Sequence, residues 1–375
     1  MLKFEVPSQV IFGRSVADKV GMIAQEINIR NALIICDQGV KAAGIVTPVI
    51  QSLEDAGIAV RIFAEITANP SDTLVTEAVK FAKKLSVDAL VAVGGGSSLD
   101  AAKAINILLT NPGPIRSYEG MNQVKCETLP LISIPTTSGT GSEVTSFSII
   151  TDSVNSRKMV IGGRYVGSRI AILDPELTFK LPAGITAATG MDALTHAIEA
   201  HFSTASSVMS DVNALKAIEL LYTNLETATN NGRDIKARES VMMGSLLAGF
   251  AFNSALLGLA HAIAHPLGAV FDVPHGVANA MVLPYVVAFN GQECKRKAIN
   301  IGIAMGVEPE VAGAAYLEQK ILELTQKIGI PRLREYIEKS DFQVIVEATL
   351  KESSLQTNPR KVEGNDVFAI LENAF

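Results

Sequence analysis

Cysteine is scarce in this sequence. Three residues in 375, Cys36, Cys126 and Cys294, lie far apart and in no metal-binding spacing. Scattered thiols, odd in number, exclude a disulfide framework and a cysteine-based zinc cluster, and they fit a reducing, cytoplasmic setting. Basic runs are missing too. The net charge is −6, aromatic residues make up only 5% of the chain, and nowhere do the two kinds interleave, so nucleic acid is not an expected partner. The opening Met-Leu-Lys-Phe-Glu-Val lacks the apolar core of a signal peptide and is expected to be a strand. Histidine is rare as well, with five residues, yet all of them crowd into the stretch 196–275, His196, His261, His265 and His275 among them.

Charge is absent from one long stretch, residues 241–271, which is long enough by itself to cross a bilayer. It contains His261, His265, Asn253, several glycines and Pro266, however, and has no basic cluster at either end. The expectation is therefore a set of helices apolar all round, packed at the centre of a helical domain, and no membrane.

At this length two domains are expected. In the first half, short apolar runs at 31–36, 59–63, 88–93 and 131–134 read as buried parallel strands. Helical spacing separates them over 41–56, 72–85 and 97–109. Such alternation predicts an α/β sheet covered on both faces. From about Thr186 the pattern is helical, with segments near 186–202, 207–229, 233–256, 258–270, 293–304 and 309–328. Pro182–Gly184 marks the boundary, giving domains of 1–183 and 184–375.

Asp192 and His196 are four residues apart, so they share a helix face and can reach one ion. His261 and His265 repeat that spacing. His275, in a Pro-His-Gly turn, can be brought back toward the others. One carboxylate with up to three imidazoles suits Fe(II) or Zn(II). His201, five residues beyond His196, points to another face and is expected at the surface.

Two loops offer phosphate-binding chemistry. Gly94-Gly95-Gly96-Ser97-Ser98 follows a strand and opens a helix that carries Asp100 and Lys103. Pro135 to Ser142 supplies hydroxyls and glycines after another strand. Glycines admit a phosphate close to the backbone, and a helix start favours an anion. The usual G-x-G-x-x-G after the first strand is missing. Asp37, at a strand end, reads either as an acceptor for an adenosine ribose or as a turn residue.

The segments GGGSSLDAAK (94–103), PTTSGTGSEVT (135–145), TGMDALTHAIEA (189–200) and GLAHAIAHPLGAVFDVPHGVANAMVLP (258–284) strongly resemble the iron-containing alcohol dehydrogenases, over almost the whole chain. The resemblance implies a Rossmann-like α/β N-terminal domain that binds the dinucleotide and an all-α metal-binding C-terminal domain, a dehydroquinate synthase-like architecture. By motif, Asp192, His196, His261 and His275 match the metal ligands, and His265 matches an active-site histidine that is not a ligand. Asp37, Asn69, Gly95, Gly96, Ser97, Asp100, Thr136, Thr137, Thr140, Thr145 and Lys158 match positions around the dinucleotide. The implied cofactors are NAD and a divalent metal, Fe(II) first and Zn(II) second. The implied reaction interconverts a small primary alcohol or diol and its aldehyde, in a homodimer or larger homo-oligomer. Residues 143–151 (EVTSFSIIT) look more like the 1,3-propanediol and methanol/ethanol dehydrogenase branches than the lactaldehyde reductase branch. Rival readings on the same fold are a glycerol- or lactaldehyde-type polyol dehydrogenase and a cyclising synthase; a non-catalytic scaffold is a third.

Overall fold

Strands with no polar face have to be covered on both sides, and the first half of the chain is built around four such runs. The computed structural model describes residues 4–155 and 157–375. Val6–Thr137 and Ser142–Phe179 form one compact unit. In it, β1 (Gln9–Phe12), β2 (Asn31–Asp37), β3 (Ala59–Ile66), β4 (Ala89–Gly94), β6 (Leu131–Pro135) and β9 (Ile170–Leu173) make a sheet in the order β1-β9-β6-β4-β2-β3. Every pairing is parallel. The inner strands β4, β6 and β9 are buried at every residue, whereas the edge strands β1 and β3 keep exposed positions. That division is the one expected of a sheet with helices on both faces. The helices are α1 (Val20–Glu26), α2 (Gln38–Ala42), α3 (Val46–Asp55), α4 (Asp72–Ala82) and α5 (Gly96–Thr110). A smaller sheet, which the sequence pattern does not announce, joins β5 (Gly120–Met121), β8 (Arg157–Gly162) and β7 (Phe147–Asp152), with β7 and β8 antiparallel.

The chain-opening strand expected at Met1–Val6 is not found where it can be seen. Residues 1–3 lie outside the described part, residues 4–6 are irregular, and β1 begins at Gln9.

The second unit comprises residues 180–375 with the short segments 4–5 and 138–141. Its helices are α6 (Ala183–Phe202), α7 (Val208–Asn230), α8 (Ile235–Ala255), α9 (Leu259–Phe271), α10 (His275–Glu293), α11 (Lys295–Ala304), α12 (Ala314–Lys327), α13 (Phe342–Thr349) and α14 (Gly364–Ala374). From Gly190 to Phe202, α6 has no exposed residue. This explains why His201 departs from its expected surface position. It is 2% exposed, and its Nδ1 lies 3.0 Å from Asp211 Oδ1 at the start of α7. His275 does not sit in an isolated turn; it is the first residue of α10, with Pro274 before it. The uncharged stretch 241–271 folds as the end of α8 and all of α9, which meet at an angle of 102°. Among the described residues no single helix is long and apolar enough to cross a membrane.

Candidate metal centre and cofactor loops

Three helices of the helical unit bring the histidines together. Offsets of four and three residues put Asp192, His196 and Glu199 on one face of α6. His261 and His265 are one turn apart on α9, as are His275 and Asn279 on α10. The α10 N-terminus can approach α6 because residue 276 is glycine: a Cβ there would stand 2.2 Å from the Ala188 carbonyl oxygen.

Asp192 Oδ1 is the hub. The Nε2 atoms of His275, His261 and His196 lie 3.5, 3.7 and 4.0 Å from it. Single donor atoms of Asp192, His261 and His275 all fall within 4.8 Å of one another. His196 does not join that triad at this spacing; its ring is stacked between Phe252, at 4.3 Å, and His261, at 4.7 Å. Its buried Nδ1 has no hydrogen-bond partner among the described residues.

These donors fit a divalent ion. The imidazole nitrogens are too far from the carboxylate for good hydrogen bonds. Bonds of about 2.0–2.2 Å to a shared ion would place such donors about 3–4 Å apart. Protonation states agree. Burial alone would raise the Asp192 carboxyl, but His196, His275, His261 and the Asn279 amide leave it below its ordinary value, hence ionised. Burial, followed by the neighbouring His196 and His275, holds His261 well below the ordinary imidazole range, so it offers a lone pair.

Two further groups hold these candidate donors, and sequence reasoning missed both. Glu199 Oε2 lies 2.6 Å from His261 Nδ1, so the carboxylate accepts that N–H and Nε2 faces Asp192. Its other oxygen accepts the Ala260 N–H at 2.6 Å. Burial pushes the Glu199 carboxyl up to about 7, and the backbone donors of Ala260 and Gly258 oppose the rise. Asn279 Nδ2 donates to Asp192 Oδ1 at 2.8 Å and stands 3.2 and 3.3 Å from His261 and His275 Nε2. Helical spacing was a usable signal for each, since Glu199 follows His196 by three residues and Asn279 follows His275 by four. His265 has its Nδ1 2.8 Å from Glu352 Oε2, and its ring stacks on His275 with centroids 5.7 Å apart.

In the α/β unit the cofactor candidates gather at the carboxyl ends of adjacent strands. Asp37 ends β2, where the register with β3 shifts. Its Oδ1 caps α2 through the Val40 N–H at 2.8 Å. Its Oδ2 lies 3.4 Å from Ser98 Oγ. Gly95 is the N-cap of α5, with no side chain to satisfy the first-turn N–H groups, and Gly96 and Ser97 follow. Thr136 and Thr137 follow β6, and a Cβ on Gly95 would sit 3.5 Å from Thr137. Asn69 and Lys158 bond each other, Nζ to Oδ1, at 2.7 Å.

Asp100 and Thr145 turn inward. Asp100 accepts from Ser142 Oγ at 2.6 Å and from the Ile149 N–H at 3.1 Å. Thr145 is buried beside Lys103, whose Nζ donates to the carbonyls of Ser142, Thr145 and Phe147. Thr140 lies in the 138–141 segment, which groups with the helical unit.

Comparison with known proteins accounts for both halves of the chain. The family described as iron-containing alcohol dehydrogenase matches residues 7–175, and the C-terminal part of the Fe-containing alcohol dehydrogenase family matches residues 186–375. The NAD-dependent methanol dehydrogenase of Bacillus methanolicus is 37% identical over 380 residues, covering 100% of both chains. The 1,3-propanediol dehydrogenase of Klebsiella pneumoniae is 37% identical over 385 residues, covering 100% of this chain and 99% of that one. A solved 1,3-propanediol oxidoreductase superposes with a TM-score of 0.97 at 37% identity, covering both chains fully. A sulfoacetaldehyde reductase from Bifidobacterium kashiwanohense, solved with NAD+, gives 0.92 at 26% identity, covering 100% of this chain and 98% of that one.

Proposed function

The chain belongs to the iron-containing alcohol dehydrogenases, and within that family we propose a division of labour among its residues. The protein is an NAD-dependent alcohol oxidoreductase that interconverts a small primary alcohol or diol and its aldehyde. The observation that carries the site assignment is the convergence of three imidazole nitrogens on Asp192 Oδ1. Asp192, His196, His261 and His275 hold the divalent ion, which when bound supplies Lewis-acid polarisation of the substrate oxygen. The nicotinamide supplies the hydride chemistry.

The rest falls to the protein. Glu199 and Asn279 orient the donors. The N-terminus of α5 and the Thr136–Thr137 hydroxyls receive the dinucleotide phosphates. Asp37 takes the adenosine ribose and disfavours a 2′-phosphate. His265, one turn from His261 and with its Nδ1 on Glu352, relays the proton between the substrate hydroxyl and solvent.

A homo-oligomer and a cytoplasmic location belong to the same proposal. The exposed apolar side chains Val208, Met209 and Val212 at the start of α7 support the first, and the three free cysteines support the second.

The test is a panel of alcohols, diols, polyols and aldehydes with NAD(H) and NADP(H), read at the nicotinamide absorbance, alongside His265→Ala. Turnover of small primary alcohols with NAD+, and a His265→Ala enzyme that keeps its metal but turns over slowly, is the expected result. Loss of metal in His265→Ala would make that residue a ligand, and preferential oxidation of polyols would move the protein to the rival branch.

A further inference from the structure

A segment far along the chain lies against α9 and delivers one carboxylate to His265. Glu352 precedes the short turn Ser353–Thr357 at its N-cap position, yet its side chain makes no capping bond there. The carboxylate is instead directed to His265 Nδ1, at 2.8 Å, 87 residues back in sequence. Thr357, the last residue of the turn, and Asn358, just beyond it, anchor the segment. Thr357 Oγ1 donates to the Leu257 carbonyl at 2.6 Å. Asn358 Oδ1 accepts the Leu259 N–H at 3.2 Å, and the Asn358 amide pairs with that of Asn290 in both directions, at 2.9 and 3.0 Å. Glu352 thus extends from backbone anchored to the first turn of the same helix that carries His261 and His265.

Stability alone gives little reason for this pair. The two side chains are 28% and 30% exposed, and an ion pair in such a setting contributes roughly 0–1 kcal/mol. Its geometric consequence is larger. A carboxylate accepting from Nδ1 requires the proton on that nitrogen, which leaves Nε2 with its lone pair as the ring's only acceptor. The same bond restrains rotation of the imidazole, and the ring stacked on His275 at 5.7 Å limits tilt.

We propose that Glu352 is the positioning residue for His265, setting its tautomer and ring plane so that Nε2 receives the substrate proton. This rests on His265 acting as the relay. In the step, the substrate O–H breaks and an Nε2–H bond forms; the imidazolium is held by the Glu352 carboxylate until Nε2 returns its proton to solvent. The proton on Nδ1 stays in place throughout.

Two measurements separate the positioning claim from the relay claim. The first is 15N NMR of histidine-labelled, Zn(II)-loaded protein, in which five histidines give few signals. The parent should show His265 as the Nδ1–H tautomer, and Glu352→Ala should show a mixture. An unchanged His265 signal in Glu352→Ala would overturn the positioning claim whatever the kinetics.

The second is steady-state kinetics of the holoenzyme with metal content measured. Glu352→Ala should lower kcat about tenfold or more, leaving metal content and both KM values near the parent's. Glu352→Asp should restore part of the rate, and Glu352→Ala/His265→Ala should be no slower than His265→Ala alone. Normal kcat in Glu352→Ala, loss of metal, or a double variant slower than His265→Ala would each overturn the proposal. Normal kcat in His265→Ala would instead remove the relay on which it rests, with the NMR result still standing.

Discussion

Burial pushes the Glu143 carboxyl from its ordinary range up to about 7, while its own backbone N–H and the Lys103 ammonium pull the other way. The folded chain therefore holds this proton between about 4.5 and about 7, where the unfolded chain releases it. The group's contribution to stability is fully present below about 4.5 and is lost as pH rises through about 7. Glu143→Gln removes that dependence. Relative to the parent, the variant should gain up to a few kcal/mol of unfolding free energy between the two ends of this window, measured by urea titration across it. Glu199 titrates over the same range, so the difference between variant and parent isolates Glu143. Parallel pH profiles would contradict the assignment.

Asp37 gives the second prediction at this scale. Replacing it with Gly should raise NADP(H) use by an order of magnitude or more, because a like charge no longer faces the 2′-phosphate. The loss of stability should be only a few tenths of a kcal/mol, since Gly is itself a tolerated N-cap. A parent enzyme that already accepts both cofactors equally would remove Asp37 from this role.

At the scale of elements, contact between α6 and α10 depends on residue 276. A Cβ 2.2 Å from the Ala188 carbonyl cannot be relieved by a side-chain rotation, because the obstacle is backbone. Gly276→Ala should cost about 1–3 kcal/mol and weaken metal retention, since His275 is the residue before it. Chelator competition would read the second effect; unchanged affinity would show that α10 can shift without moving His275.

The same helix shows where the sequence was hard to read. The stretch 275–293 contains Gly276, Pro284 and Gly291, and most of its residues are buried, so neither composition nor a polar stripe marks it as a helix. Buried α/β strands and amphipathic helices such as α4 were legible because apolar runs and 3.6-residue spacing survive in them. The β5-β8-β7 sheet was not legible, because its pairings join short, separated segments. Among candidate site residues, the proposed metal donors stood out by their rarity and spacing. Glu199 and Asn279 share their helix faces and could have been found. Glu352 could not, as only the folded chain brings it to His265.

For the molecule as a whole, both units carry candidate site residues, and each set was visible in a different signal. In the α/β unit it was glycine and hydroxyl residues after strands; in the helical unit it was histidines in an otherwise uncharged stretch. The family matches over 7–175 and 186–375 cover both. Asp100 and Thr145, expected around the cofactor from the resemblance, are bonded into the loop with Lys103 and Ser142. No spacing pattern distinguishes a residue that faces a ligand from one that ties down the loop beneath it.

The central claim is that turnover depends on an ion held by Asp192, His196, His261 and His275. It is tested by measuring metal content and NADH formation from a small primary alcohol on the same samples: protein as purified without added metal, after chelator treatment, after refilling with Fe(II) or Zn(II), and in His261→Ala and His275→Ala. The account predicts that activity follows occupancy through stripping and refilling, and that both variants lose metal and turnover together. Metal-free protein that oxidises the alcohol at the parent's rate would contradict it.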